Sequence, residues 1–551
     1  MHQRLAQAME TELGEEALQS GTASVVLAHH WLESENLPAF LRYAPRAASS
    51  LQRCGNFELA VDYHRRMVEQ TPDEATARKI KSLARLSEMH EFLWDLDQGR
   101  KDLESILALG GPHLSRPDRC ALLRRIAGME IARNRNAEAL ALLEKARALL
   151  GEEGDPLQSL PLDATEAWSA WFLGNRQRAR SAEERAEKTL SILPVARGPQ
   201  MAPVINARNL LANLRCQRGE FSLAEENYRR NLELLSGMNS AQAEAATHCS
   251  YGSLLLDSGR VGEAREHLSR ALETAKQIGD RRTLSRARER LGQYHLLYGD
   301  LKRALQITEV ALQDAEAIHH PAATAGSLCM LGRIHLRAGQ FPSAAETFAR
   351  ALELYRGAAD PIGTPAALLD LARLSIAEGN LREARRQVAE GGGEADRHGL
   401  ILVRAAARLL EAEVLSAKSG AADPSGLEEA AEAFRSAGAT LGLLEAELFS
   451  VQAAIQSGEF DDAAADLLRI DGTLKASGSR EQVARARYLK ALIDSRQGRT
   501  EQAVQALLSL DQLSINWVLP RIAADCRRTL NELSVPGKTP LQPWNVPTAK
   551  S

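Results

Sequence analysis

Residues 259–304, GRVGEAREHLSRALETAKQIGDRRTLSRARERLGQYHLLYGDLKRA, contain one complete unit of a repeat. A glycine opens the unit at 259 and again at 299, and an alanine follows each glycine after five positions. The glycine series is Gly219, Gly259, Gly299, Gly339 and Gly379, and it continues near Ser419-Gly420, Gly458 and Gly498. A period of about 40 residues held over this distance indicates a tandem repeat architecture.

The spacing within the unit predicts two packed helices. A turn glycine ends one helix because it accepts a positive φ at little cost. A small residue, a large residue and a small residue then follow at 5, 9 and 12 positions, as in Ala264, Leu268 and Ala271. Such i, i+4, i+7 spacing marks one apolar stripe of an α-helix, which a lone hairpin cannot bury but a stack of hairpins can.

Composition supports the same prediction. The 551 residues are 44% hydrophobic but only 4% aromatic, so Ala and Leu must build the core, and both favour helix. We therefore predict an all-α fold, a right-handed superhelix (α-solenoid) of about 12 antiparallel helical hairpins with a period near 40 residues.

The array is expected to divide into five segments. Gly55, Gly174 and the stretches around Gln98-Gly99 and Asn134–Asn136 suggest less regular hairpins before the first strict repeat, and the Gly- and Pro-containing stretches 151–163, 194–203 and 420–426 are interpreted as loops. The predicted segments are an N-terminal helical cap at 1–45, irregular helical repeats at 46–193, regular repeats at 204–514, a capping helix kinked near Pro520 at 515–533, and a disordered tail at 534–551.

The first helix of each unit carries the sequence signature of a known repeat. The pairs Tyr251-Gly252, Leu291-Gly292 and Leu331-Gly332, each followed by the turn glycine and the alanine, closely resemble the tetratricopeptide consensus. The familiar tetratricopeptide unit has 34 residues, whereas this one has 40. The resemblance implies that the first helix of each hairpin lines the concave surface, at positions 13, 10, 6 and 2 residues before the turn glycine.

Counted in this way, the resemblance places two polar groups in the groove. An amide ladder precedes Gly219, and an amide side chain can both donate to and accept from an extended peptide backbone. A basic group lies on the next repeats, where guanidinium groups suit carboxylates or phosphates. A solvated surface explains either group equally well. The predicted ligand-binding residues are Asn206, Asn209, Asn213 and Gln217, followed by Arg286, Arg290, Arg333, Arg337 and Arg373.

The first 70 residues carry a second resemblance. Leu27, Ala28, His30 and Trp31, with Ala44 and Ala47-Ala48 beyond them, are similar to the segment that follows the nucleotide-binding core of bacterial signal-transduction (STAND/AAA-type) ATPases and ATPase-linked kinases or regulators. Long helical repeats form the tails of such proteins. The resemblance implies a regulatory tail whose ATPase or kinase partner is a separate part, since the sequence has no Walker motif or kinase loop.

No motif for catalysis, a cofactor or a metal emerges from the sequence. Gly537-Lys538-Thr539 resembles the end of a P-loop, but Glu532 replaces the required first glycine. The adjacent pairs His29-His30 and His319-His320 point about 100° apart on a helix, so neither pair alone forms a metal site. We expect no enzyme activity, no cofactor and no bound metal.

Charge and segment composition narrow the partners. The net charge of −4 gives no general attraction to nucleic acid or to anionic membranes. No long apolar run or signal sequence is present, and the six cysteines are scattered, so the expected location is the cytoplasm. The leading interpretation is a scaffold or sensor that holds a protein or peptide in its groove for signalling or regulation, and the basic group there suits an acidic partner. A structural adaptor that uses its outer faces, or a detached tail of an ATPase or kinase, is the alternative.

Overall fold

A computed structural model describes residues 1–13, 20–54, 56–71, 75–111, 114–151, 155–193, 201–238, 240–419, 423–517 and 519–533. Every regular element in these ranges is an α-helix. The 27 helices are α1 (His2–Leu13), α2 (Gly21–Glu33), α3 (Leu37–Arg53), α4 (Phe57–Gln70), α5 (Thr76–Phe92), α6 (Leu96–Gly110), α7 (Arg116–Ala132), α8 (Asn136–Leu150), α9 (Pro156–Phe172), α10 (Arg176–Ile192), α11 (Ala202–Gln217), α12 (Phe221–Leu235), α13 (Ala241–Asp257), α14 (Val261–Ile278), α15 (Arg281–Leu297), α16 (Leu301–Ala317), α17 (Pro321–Arg337), α18 (Phe341–Gly357), α19 (Gly363–Glu378), α20 (Leu381–His398), α21 (Ile401–Ser419), α22 (Pro424–Ala437), α23 (Thr440–Ser457), α24 (Phe460–Ser477), α25 (Arg480–Arg496), α26 (Thr500–Asn516) and α27 (Pro520–Leu533).

The helices form a repeat superhelix, which confirms the predicted fold class. Helices α3 to α26 pair in chain order into twelve hairpins, with α1 and α2 before them and α27 after them. The hairpins are numbered one to twelve below. The predicted tail at 534–551, including Gly537-Lys538-Thr539, lies outside the described residues.

The repeat register explains how each hairpin closes. The alanine five residues after the turn glycine is fully buried in all seven regular units. The residue nine after the glycine fills space that a small residue in the first helix leaves open: a Cβ added to Gly252 would lie 2.7 Å from Leu268 Cγ, and one added to Gly332 would collide with Phe348. Small and large residues therefore interlock between the two helices, as the sequence pattern predicts.

Several loop predictions prove too long. Helix α9 begins at Pro156, so residues 156–163 are helical rather than a loop, and Pro161 is buried inside the helix. Asp155 caps this helix by accepting from the Leu157 N–H, and a proline at the first helical position fits without strain. Helices α11 and α22 likewise begin within the stretches 194–203 and 420–426, of which 194–200 and 420–422 lie outside the described residues.

Two further features of the chain differ from the expectations. The turn of hairpin two is at Trp94, whereas Gly99 lies inside α6 and is buried. The segment 515–533 is not one kinked helix, because α26 ends at Asn516 and α27 begins at Pro520. Proline cannot donate the backbone hydrogen bond that would continue α26, so the chain restarts there.

Successive turns of the superhelix touch each other. The turn of hairpin two contacts the linker after hairpin seven, where the rings of Trp94 and His320 stack with centroids 3.7 Å apart. In hairpin three, Asn134 Nδ2 donates to Ala358 O at 2.9 Å, after hairpin eight. A Cβ added to Gly219 in hairpin five would lie 3.0 Å from Ala437 Cβ, after hairpin ten. The constant offset indicates about five hairpins per turn, with neighbouring turns in contact.

Candidate functional site: the charged inner surface

The first helices of hairpins six to twelve share a ribbon of partly exposed charged side chains. Four of these residues are partly exposed to solvent: Asp257, Arg290, Arg333 and Glu413. Burial nevertheless acts on the pKa of each one by disfavouring its charged form. A group that keeps solvent contact while protein surrounds it lies in a concavity. These residues therefore line the inner surface of the superhelix, which we call the inner channel.

Asp370 on α19 ties together two of the predicted arginines. Its carboxylate, 1% exposed, accepts from Arg333 Nε at 2.9 Å and lies 2.8 Å from Arg333 Nη2. Arg373 Nη1 donates to the same carboxylate at 3.2 Å. Asp370 raises the pKa of Arg333, so the Arg333 guanidinium stays charged. Much of the hydrogen-bonding capacity of both arginines is already used inside the protein.

Helix α15 carries a stripe of three arginines, Arg282, Arg286 and Arg290, spaced four residues apart. The side chains of Arg282 and Arg286 are exposed to solvent. Arg282 Cζ lies over the Trp94 ring, 4.7 Å from its centroid. Burial, and then the neighbouring Arg286, lower the pKa of Arg282. Within the described residues Arg286 has no ion pair, and Arg290 Nε is buried without a hydrogen-bond partner. This face of α15 therefore has a local excess of positive charge and an unused donor.

Acidic residues flank the stripe. Burial lowers the pKa of Arg290, but Glu289 and Asp257 more than offset that effect, so its pKa is raised. Glu289 reaches across to α17, where a Cβ added to Gly326 would lie 2.8 Å from Glu289 Oε2 and 3.4 Å from the Tyr355 hydroxyl. The absence of a side chain at Gly326 gives these two polar groups room beside the arginines.

The other end of the channel centres on Glu413 of α21 and carries charges of both signs. Burial raises the pKa of Glu413 to about 7. Arg485 on α25 opposes this shift most strongly, and Glu445 on α23 adds to it. Arg521 on α27 also acts on Glu413. Charges on α23, α25 and α27 therefore all act on one carboxyl group of α21. This is expected where helices face one another across a narrow channel.

The amide ladder on α11 is mostly part of the scaffold. Asn209 Nδ2 donates to Thr247 Oγ1 at 2.9 Å and its Oδ1 accepts from Asn231 at 2.9 Å. Asn213 Oδ1 accepts from the Tyr228 hydroxyl at 2.8 Å. The ladder therefore links α11 to α12 and α13. Asn206 is exposed and Gln217 is partly buried; neither has a hydrogen bond among the described residues.

Arg337 lies apart from the other predicted arginines. Its side chain is only 7% exposed, and its Nη1 donates to Leu296 O at 2.6 Å and lies 3.2 Å from Glu481 Oε2. Glu481 belongs to α25, so this contact joins hairpin eight to hairpin twelve. These contacts make Arg337 a structural link between hairpins eight and twelve, and Arg337 is not part of the proposed ligand-binding site.

The thiols near the channel are poor nucleophiles. Burial raises the pKa of Cys216 to about 12 and also raises the pKa of Cys249. A protonated thiol does not attack a substrate. These residues pack within the repeats.

The sequence analysis missed several charged members of the channel. Asp257 lies two residues before Gly259, and Glu445 and Arg485 lie thirteen before Gly458 and Gly498, so the same count extended to these repeats would find them. Glu413 lies six residues before 419, where the turn glycine is displaced and the register is lost. Asp370 occupies no groove position, and only the three-dimensional contacts identify it.

Comparisons with known proteins agree with the repeat architecture. A tetratricopeptide repeat family model matches residues 242–317. No curated protein sequence matches the chain. Among solved structures, a Rap protein complexed with competence and sporulation factor is 14% identical, with a TM-score of 0.49, and covers 69% of this chain and 99% of its own. Aspartyl phosphate phosphatase F from Bacillus subtilis is 14% identical, with a TM-score of 0.41, and covers 65% of this chain and 94% of its own.

A third solved structure, the Rap conjugation gene regulator of the plasmid pLS20 in complex with the Phr* peptide, is also 14% identical, with a TM-score of 0.42 over 69% of this chain and 96% of its own. At this distance the three structures say nothing about a ligand of this chain. None of the helices in the described ranges has both the length and the apolar character needed to cross a membrane. What the sequence match identifies is a tetratricopeptide repeat region at 242–317, within a longer all-α repeat superhelix.

Proposed function

We propose that this protein is a cytoplasmic scaffold or sensor that binds an extended acidic peptide, or an acidic segment of a protein, in its inner channel. The observation that supports this most is the arginine stripe on α15. The charge of Arg286 lowers the pKa of Arg282 in a partly desolvated setting, and a carboxylate ligand beside these two exposed side chains would relieve that repulsion.

The rest of the channel carries charges of both signs. Arg333 and Arg373 continue the basic surface towards α19, although Asp370 already engages both. Beyond them Glu445, Arg485 and Arg521 all act on Glu413. A peptide whose acidic residues lie at α15 fits the excess of positive charge there. Asn206 and Gln217 on α11 could contact the same ligand beyond the basic stripe.

A charge-reversal experiment tests the proposal. Fluorescence anisotropy would measure binding of labelled peptides from an acidic library to the wild type and to the double variant Arg286→Glu/Arg290→Glu. The matched control is Lys302→Glu/Arg382→Glu, which makes the same change of charge at two exposed positions on second helices. We expect the inner variant to lose binding by at least about a hundredfold, since a desolvated charge pair is worth about 2 kcal/mol or more and the reversal replaces attraction with repulsion.

The control and the salt dependence separate this proposal from the alternatives. An adaptor that works through its outer faces would respond to the control variant and not to the inner one. Channel binding should weaken as ionic strength rises, because part of the ligand charge is screened. The proposal fails if acidic peptides bind the inner variant as tightly as the wild type.

The regulatory role is the finer part of the proposal. The first 70 residues resemble those of ATPase-linked regulators, so we propose an ATPase or kinase as the protein that responds when the channel is occupied. Binding of such a purified enzyme to this chain should change when a saturating acidic peptide is added. Measurable ATP turnover by the chain alone would count against the scaffold function.

A further inference from the structure

Three histidines from two helices converge at the start of the chain. His2 lies on α1, and His29 and His30 lie side by side on α2. The potential ligand nitrogens of the three all lie within 4.8 Å of one another, and His2 Nδ1 is 2.9 Å from His30 Nδ1. Neighbouring residues on one helix diverge too far to share a metal alone, but His2 approaches both of them from the adjacent helix.

The spacing of the rings matches that of a three-histidine zinc site. With Zn–N bonds of about 2.05 Å and tetrahedral angles, ring centroids fall about 5.2 Å apart. The observed centroid separations are 5.0 Å for His2 and His30, 5.5 Å for His29 and His30, and 6.0 Å for His2 and His29. Small side-chain rotations are therefore enough to bring the nitrogens to one ion, and the exposed His29 leaves a fourth position open to water.

The nitrogen ligands of the cluster favour a metal ion of intermediate softness, such as Zn²⁺. Imidazole nitrogen binds zinc well, whereas magnesium and calcium prefer oxygen ligands. A metal ion would hold the three imidazole groups together through three coordinate bonds.

The position of α1 gives the cluster a role. Only Ala6 of this helix is fully buried, with Met9 and Leu13 partly buried against the core, and Glu10 accepts a hydrogen bond from Trp31 Nε1 at 3.1 Å. Few apolar contacts therefore hold α1 on α2, and local detachment of such a helix costs little free energy. A bond from His2 to an ion held by α2 would fix the helix in place.

We propose that His2, His29 and His30 bind one Zn²⁺ ion, which holds α1 against α2 at the beginning of the superhelix. The site is separate from the inner channel and does not depend on the proposed function. It adds a metal-dependent clasp to a segment with little core of its own.

Zinc titration of the full chain tests the site. ZnCl₂ would be added to untagged, EDTA-treated protein in a calorimeter at pH 7.5, with MgCl₂ as the negative probe. We expect one-to-one Zn²⁺ binding and none of Mg²⁺. Each of His2→Ala, His29→Ala and His30→Ala should weaken Zn²⁺ binding by at least about tenfold, since even loss of an outer-sphere partner costs that much. Affinity should fall below about pH 6 as the rings become protonated.

The control removes one imidazole of a different histidine pair. His248 Nδ1 and His267 Nδ1 are 2.7 Å apart, and no third histidine joins them within the part of the chain that the structure describes, so His267→Gln should leave Zn²⁺ binding unchanged. Amide hydrogen exchange measures the clasp: saturating Zn²⁺ should slow exchange in residues 2–13 at least about tenfold in the wild type but not in His30→Ala. Absence of one-to-one binding, retention of full affinity in the alanine variants, or unchanged exchange in α1 would overturn the proposal. Circular dichroism would verify that each variant keeps its helix content.

Discussion

The channel carboxylate Glu413 offers a test of the inner surface that needs no ligand. Burial raises its pKa to about 7 from an ordinary 4.5, while Arg485, Arg373 and Arg521 favour the charged form without overcoming burial. The folded state therefore binds the proton more tightly than the unfolded state. Glu413 costs the fold nothing below about pH 4.5, and its cost grows as pH rises towards 7 and is complete above it.

The expected free-energy cost follows from the size of the pKa shift of Glu413. One pKa unit corresponds to 1.36 kcal/mol, so a shift from 4.5 to about 7 implies roughly 3 kcal/mol, which partial solvation of the side chain reduces to about 2 kcal/mol. Glutamine keeps the shape and removes the charge. We therefore expect Glu413→Gln to stabilise α21 by about 2 kcal/mol at pH 8 and to have almost no effect at pH 4.5.

Hydrogen exchange is the appropriate assay because repeat arrays do not unfold in one cooperative step. Peptides from α21, corrected for the intrinsic pH dependence of exchange, should exchange about thirtyfold more slowly in Glu413→Gln than in wild type at pH 8. The control is Glu411→Gln on the same helix, whose carboxylate accepts from Arg408 at 3.0 Å and which should show no gain at pH 8. Equal slowing by Glu413→Gln at both pH values would refute the desolvated channel.

Four further substitutions probe other parts of the fold. Asp370→Asn should lower stability by about 2 to 4 kcal/mol by chemical denaturation, because it leaves Arg333 beside an uncharged group, and it should also tighten binding of acidic peptides in anisotropy titrations. Trp94→Asn introduces a residue that tolerates the positive φ of 62° but removes the ring contact with His320 between superhelical turns. Small-angle scattering should therefore show a larger radius of gyration. Gly332→Ala should lower the melting temperature because its methyl group would collide with Phe348, whereas Gly393→Ala, with open space around it, should raise stability by about 1 kcal/mol.

The repeat architecture was predictable because its information is local. The turn glycine, the alanine five residues on and the residue four beyond it recur within single hairpins, and the last two of these positions are buried. Where the turn lacks glycine the register fails: Trp94 takes the left-handed conformation in hairpin two, held by His320 and Arg282 from the next superhelical turn. That compensation comes from more than 180 residues away, and no local pattern encodes it.

The residues of the candidate site were likewise only partly predictable from the sequence. Counting back from Gly299 with the tetratricopeptide register predicts that Arg286 faces the groove, with Arg290 one helical turn further along α15. It does not show that Arg337 is buried against Leu296 and Glu481, since that contact depends on how tightly the superhelix winds. The convergence of His2 with the His29-His30 pair likewise depends on the docking of α1, a separate helix.

Photo-crosslinking tests the central claim, that the ligand lies inside the superhelix, most directly. A benzophenone amino acid would replace Ala366, which the register places two hairpins beyond Arg286 at the equivalent inner position and which is partly exposed. A second variant would carry it at Glu309, exposed on the second helix α16. The inner-channel account predicts that a bound acidic peptide crosslinks from position 366 and not from position 309. Crosslinking from position 309 alone would contradict it and favour an adaptor that binds through its outer surface.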